Sequence, residues 1–178
     1  LELCDRAERA FRSISSGLAW WVNTANSFSI EALATLGELG ELRRRLPALL
    51  NEADGHADIY AGSVFRARAY PTWMAADKVD AGRVAIRRAV GRWERAGFYD
   101  PHLWQMIADV RFDLYEGKTT AAWTGIEGRW PSLVRSRLLV GQFSRIHAYA
   151  ARGSAAVAAA GVLQARDRKE REVHEPIP

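Results

Sequence analysis

Apolar residues recur at helical spacing along almost the whole chain, and no stretch alternates with the period of two that a half-buried strand requires. Leu3, Ala7, Ala10 and Phe11 share one face of a first helix over Leu1 to Phe11, which Ser13 to Gly17 interrupts. Trp20, Trp21, Ile30, Leu33 and Leu36 mark a second over Leu18 to Leu36, with a polar stretch at Asn23 to Ser29 where it is expected to fray. Leu42, Leu46, Leu49 and Leu50 then define Glu41 to Ala53, with Pro47 inside as a kink. Ile59, Tyr60, Val64, Phe65, Tyr70 and Trp73 define Ala57 to Ala76, bent near Pro71. Ile86, Ala89, Val90 and Trp93 define Ala81 to Ala96, with Asp80 as its N-cap.

Start signals sharpen in the second half. Asp100-Pro101 places a capping oxygen before a proline at the first helical position, and this helix runs to Tyr115. Thr119 or Thr120 caps the next one, to Trp130. Pro131 opens another to about Ala151, and Ser154 an Ala-rich helix ending in a mixed-charge tail that frays towards Pro176 and Pro178.

Polar turns near Gly40, Asp77, Gly117 and Gly153 are spaced by 37, 40 and 36 residues. Gly91-Arg92-Trp93 returns as Gly128-Arg129-Trp130, 37 residues later. A period of this length marks stacked helix pairs. The expected fold is therefore all-α, an α/α superhelix of about four helix pairs. It forms one domain over 1–165 followed by a charged tail over 166–178. The first helix reads as the second half of a truncated pair. Its open apolar face, with Leu3, Ala7 and Phe11, predicts self-association through that end.

Composition narrows the class. Seven Trp in 178 residues suit a thin two-layer array, where large side chains bridge neighbouring pairs, and Trp93 and Trp130 read as equivalent core positions. Trp73 and Trp104 are the expected exceptions. A lone Cys4 excludes an internal disulfide framework and favours a reducing, cytoplasmic setting. The net charge of +4 favours solubility and tolerates nucleic acid but is too small to indicate it, so a nucleic-acid partner is not expected. No segment reaches the roughly 20 apolar residues that span a bilayer, so no membrane role is expected.

Catalytic constellations are missing from the pattern. Gly117-Lys118-Thr119 ends like a phosphate-binding loop, but the required earlier glycine would stand where Phe112 does, and a helix precedes it rather than a strand. His56, His102, His147 and His174 are scattered without ligand spacing, so neither metal nor cofactor is expected. Cys4 has no nearby His, and Ser13, Ser15 and Ser16 form no nucleophile elbow. The chain reads as non-catalytic.

The turn Tyr115-Glu116-Gly117-Lys118 followed by Ala122, and Tyr149-Ala150-Ala151-Arg152-Gly153 followed by Ala158, resemble the tetratricopeptide repeat, whose period is roughly 34 residues. The small packing residue and the terminal proline of that family recur only irregularly. The stretch from Leu36 to Leu50, with Asp58-Ile59-Tyr60-Ala61, Asp113-Leu114-Tyr115-Glu116-Gly117 and Arg129-Trp130-Pro131, is similar to the helical region that follows the catalytic domain in large bacterial serine/threonine protein kinases. This resemblance implies a scaffold or regulatory segment of a signalling protein, or alternatively a sensor that holds an attached kinase or ATPase.

In tetratricopeptide-like arrays the first helix of each pair lines the concave surface. Here those helices carry Arg66, Arg68 and Tyr70, then Trp104 and Arg111, then Arg137, Arg145 and Tyr149. Guanidinium forks suit carboxylates and phosphates, so the implied partner is a protein or peptide, acidic or phosphorylated. Charge reversal at Arg111 or Arg145 is then expected to weaken binding.

Overall fold

The computed structural model describes residues 1–14, 19–93 and 97–174, the side chains of 163 and 166–174 excepted. Every regular element among them is helical: α1 Glu2–Ile14, α2 Ala19–Leu36, α3 Leu39–Gly55, α4 Ile59–Arg68, α5 Tyr70–Ala75, α6 Val79–Gly91, α7 Asp100–Tyr115, α8 Thr119–Arg135 and α9 Gln142–His174. A short 3-10 turn, Leu138–Val140, precedes α9. The all-α expectation holds. The interruption expected at Ser13 to Gly17 falls largely outside the described residues, as do the ends of Ala81 to Ala96 and of the tail.

One backbone device joins most of these helices. Gly37, Ala57, Asp77 and Gly117 all have φ between 51° and 76°, in the left-handed region. At each, the following amide reaches back to a carbonyl five residues earlier, as in Glu38 N–H to Leu33 O, Asp58 to Ala53, Lys78 to Trp73 and Lys118 to Asp113, at 2.7–2.9 Å. The left-handed residue itself donates three residues back, at 3.0–3.2 Å. This is the Schellman ending, which satisfies the last carbonyls of one helix while reversing the chain. Each next helix starts at once, with Glu38, Asp58, Lys78 or Lys118 as N-cap. Four residues after each cap stands a buried side chain or glycine: Leu42, Gly62, Gly82 and Ala122. Gly97 and Arg137 also have positive φ, so left-handed residues fall at 37, 57, 77, 97, 117 and 137, twenty residues apart throughout.

Only three of these six positions are glycine. An L residue with a Cβ costs roughly 1–2 kcal/mol there, against about 0.5–1 kcal/mol for glycine's extra chain entropy. Ala57→Gly is therefore expected to raise stability by up to about 1 kcal/mol, seen as a higher urea midpoint at unchanged slope.

Several expected boundaries move. Asn23 to Ser29 does not fray: α2 passes through it, and Asn26, Ser27 and Ser29 are buried. Asp80 lies inside the first turn of α6, whose N-cap is Lys78, and neither Thr119 nor Thr120 caps α8, whose N-cap is Lys118. In both cases the Schellman turn already fixes the start. Pro131 sits inside α8 rather than opening a helix, and the break comes at Arg137, φ 63°. Gly153 interrupts nothing, because α9 runs through it and the Ser154 hydroxyl donates to Ala150 O at 2.8 Å. The expected bend near Pro71 is present, as α4 ends at Arg68 and α5 starts at Tyr70.

The Gly-Arg-Trp pair is not equivalent either. Gly91 is the last residue of α6, whereas Gly128 lies within α8. Forty residues, twice the turn spacing, relate Trp93 to Leu133 and Val90 to Trp130. A shift of three residues is close to one helical turn of 3.6, so both tryptophans still fall on the inward side. Both are half-buried.

The chain divides into two compact units, Leu1–Ala96 with Asp100–Ala108, and Gly97–Tyr99 with Asp109–Pro178. In the first, α1 packs on α2, α2 on α3 and α4, α3 on α4 and α5, and α4 on α6. Ile30, Leu33, Leu42, Leu46, Ala53, Ala61, Phe65 and Ala69 form its main cluster. In the second, α8 and α9 pack together, and Ala122, Ile126, Leu133, Ala148, Ala151 and Ala155 are buried.

Side chains forty residues apart meet repeatedly in the first unit. Arg45 pairs with Asp5 at 2.7 Å, Arg12 forks onto Glu52 at 2.7 and 2.8 Å, and the Tyr60 hydroxyl donates to Asp100 at 3.2 Å. The α1 pairs matter because that helix buries no residue fully, and Leu3 is 75% exposed while Phe11 rests on Trp21 at 5.9 Å. Partly exposed ion pairs contribute only about 0–1 kcal/mol each. Each of these arginines makes two such pairs, so Arg12→Ala and Arg45→Ala should cost under about 2 kcal/mol apiece, yet speed amide exchange selectively in α1.

Candidate functional site

The sequence candidates Arg66 and Arg68 stand two residues apart on α4 and so point to different surroundings. Arg66 faces a groove of about 400 Å³ lined by Asp54, Arg66, Ala85, Arg88, Ala89 and Arg92. Asp54 closes the end of α3, while Ala85, Arg88 and Ala89 lie on α6 and Arg92 caps it. Arg66 donates from Nη2 to Asp54 Oδ2 at 2.8 Å and from Nη1 to Gly62 O at 3.0 Å. Gly62 leaves room for that fold: a Cβ there would lie 3.0 Å from Arg66 Nη1, and the guanidinium would have to give by a few tenths of an ångström. Arg88 and Arg92 are exposed and form no hydrogen bond or ion pair among the described residues. Three guanidinium groups against one carboxylate leave the groove lining at a formal +2.

Arg68 turns the other way and is only 6% exposed. Its guanidinium lies 4.0 Å from the centroid of the Trp104 ring and 5.8 Å from that of Phe28, and Nη1 donates to Ser27 O at 3.2 Å. Trp104, 1% exposed, donates from Nε1 to Asp100 Oδ1 at 3.2 Å. Asp100 therefore serves a tertiary cluster, whereas the sequence suggested a helix cap. Trp104, expected among the tryptophans outside the core, is the largest fully buried side chain among the described residues.

Burial governs the ionisation of this cluster. It pulls the Arg68 guanidinium below the usual arginine value, against the pull of Asp100 and Glu31. Burial raises the Asp100 and Glu31 carboxyls, with Arg68 acting to lower both. It also pushes the Tyr60 phenol up, helped by Asp100. A carboxyl whose folded pKa exceeds its unfolded value contributes stability that is present below the unfolded value and lost as pH rises through the folded one. Wild type should accordingly lose stability relative to Glu31→Gln as pH rises above about 4.5, the ordinary value for a Glu carboxyl. Thermal midpoints of both proteins across pH 4 to 8 read this difference directly.

The other candidates lie elsewhere. Tyr70 is half-buried at the start of α5. In the second unit, Arg111 donates from Nη1 to Ser154 Oγ at 3.3 Å, and its buried Nε makes no hydrogen bond. Arg137 holds the left-handed turn after α8 and Arg145 is exposed on α9. Tyr149, half exposed, meets the edge of Trp130 at 5.2 Å. Beside it Arg152 forks onto Glu127 at 2.6 and 2.9 Å and lies 4.2 Å from the Trp130 ring centroid.

Arg88 and Arg92 line the groove without being among the candidates drawn from the sequence. Their signal was present, as two arginines one turn apart with Ala85 and Ala89 between their rows, but only the packing of α4 on α6 turns that row towards Arg66. Among the described residues no group of three His, Cys, Asp or Glu side chains is placed to hold a metal ion, and no helix is long and apolar enough to cross a membrane. Neither family models, curated proteins nor solved structures give a match to this chain. The likeness to tetratricopeptide arrays and kinase-associated helical regions rests on the quoted segments alone.

Proposed function

We propose that this chain is a non-catalytic interaction module built as a stack of helix pairs, and that it captures a peptide segment of a partner protein. One observation carries the reading: the left-handed turn recurs every twenty residues, and side chains forty residues apart touch. Contact between a residue and its equivalent one pair later is what stacking of identical units produces. Stacked pairs generate extended surfaces and leave the helix faces between turns available for binding. The forty-residue pair is longer than a tetratricopeptide repeat of roughly 34, so the likeness to that family extends to the arrangement and not to its consensus.

Within this stack the Arg66, Arg88 and Arg92 groove supplies an exposed cationic surface with an apolar floor, which selects acidic segments. Its test is binding of the whole chain to immobilised acidic, neutral and basic peptides of equal length. Acidic peptides should be retained preferentially, and Arg88→Glu should weaken retention at least tenfold, with Arg145→Glu as the comparison on α9. Equal retention of all three peptide classes, or indifference to Arg88→Glu, contradicts the proposal.

A further inference from the structure

We infer that the α4–α6 groove is a site for a phosphate monoester carried on a peptide side chain, with Arg88 and Arg92 as its principal ligands. This rests on the peptide-binding reading above and specifies its chemistry.

Charge decides between the anions. Asp54 already compensates Arg66 through a 2.8 Å ion pair, which leaves Arg88 and Arg92 as two cations without a counter-charge among the described residues. A peptide carboxylate brings one negative charge, whereas a phosphate monoester brings close to two at neutral pH. Only the latter balances the lining.

Geometry agrees. Arg88 lies on α6 and Arg92, four residues on, is its C-cap with right-handed helical backbone, so the spacing stays near-helical, with Cβ atoms about 5–6 Å apart, and their forks can converge on one tetrahedral group. Like charges at this spacing cost a helix roughly 0.2–0.5 kcal/mol, a repulsion that a shared anion removes. Ala85 and Ala89 put only methyl groups on that wall, so no longer side chain stands between the forks and Arg66. Arg66 is held at the opposite wall by Asp54 and by its bond across Gly62. Those two bonds use two of its five N–H groups, and three remain for a phosphate oxygen. A single groove of about 400 Å³ takes one phosphorylated side chain with its neighbours, not the phosphate lattice of a duplex or bilayer.

Titration of the full chain, followed by its arginine Nε–Hε resonances, tests this. The probe is a blocked pentapeptide with one central phosphoserine flanked by alanines, compared with the same peptide carrying aspartate or unmodified serine. Saturable shifts are expected with the phosphopeptide, at least tenfold weaker affinity for the aspartate peptide, and none for the serine peptide. Affinity should fall several-fold between pH 7.5 and 5.5, as the phosphate, with its second pKa near 6, loses its second charge. Arg88→Gln and Arg92→Gln should each weaken binding at least tenfold while the remaining backbone spectrum stays unchanged, and Arg43→Gln, exposed on α3 away from the groove lining, should have no effect. Equal affinity for the aspartate peptide overturns the phosphate assignment and leaves the peptide-binding reading intact. Failure of every peptide here and on the immobilised array overturns both. Stronger binding to vesicles containing a phosphoinositide, or to a short DNA duplex, overturns the peptide as the carrier.

Discussion

Trp104→Ala should destabilise the protein by about 4 kcal/mol in urea denaturation, within the range of about 3–5 kcal/mol for loss of a buried large aromatic side chain. The ring is 1% exposed, so its removal leaves a cavity as well as lost apolar burial. It also removes the face on which the Arg68 guanidinium rests, 4.0 Å from the ring centroid, and the Nε1 donor to Asp100. Trp104→Phe separates these contributions. It keeps an aromatic face and most of the volume but not the Nε1 bond, and should cost about 1–3 kcal/mol, the range for leaving a buried acceptor short of a donor. A Trp104→Ala cost under about 1.5 kcal/mol would show that the ring is not packed as described.

Arg68→Ala should cost about 3–5 kcal/mol at neutral pH, the range for removing one member of a buried charged group. The cation is what makes ionised Asp100 and Glu31 tolerable at their depth, since burial alone drives both carboxyls towards the neutral form. The cost should shrink on acidification, because protonated carboxyls no longer require a counter-charge. A double-mutant cycle of Arg68→Ala with Asp100→Asn isolates their coupling, and the pair should show at least about 0.5 kcal/mol of non-additivity. Strict additivity would separate Arg68 from Asp100.

The helical class was legible because apolar spacing of three and four runs through nearly every segment. The twenty-residue turn was not, and the reason is chemical. Gly37 and Gly117 announce a left-handed residue, but Ala57, Asp77 and Arg137 do the same work without glycine, so the period cannot be read from composition. The Gly-Arg-Trp coincidence then supplied a period of 37 in place of 40. Pro131 and Gly153 misled in a related way: both usually mark boundaries, yet here the neighbouring helical residues carry the helix through them. For the proposed site, the sequence placed Arg66 on a helix, as the structure does. It could not tell the buried Arg68 from the groove-facing Arg66, because a two-residue step on a helix turns a side chain by roughly 200° and only packing says which direction is inside. Nor could it pair α4 with α6, which is what brings Arg88 and Arg92 to Arg66.

Binding at the α4–α6 groove is tested most directly by hydrogen exchange of the whole chain with and without saturating phosphoserine peptide. Protection concentrated in Ile59–Arg68 and Val79–Gly91, and abolished by Arg88→Gln together with Arg92→Gln, is the expected result. Protection confined to α8 or α9, or undiminished by that double substitution, would contradict it.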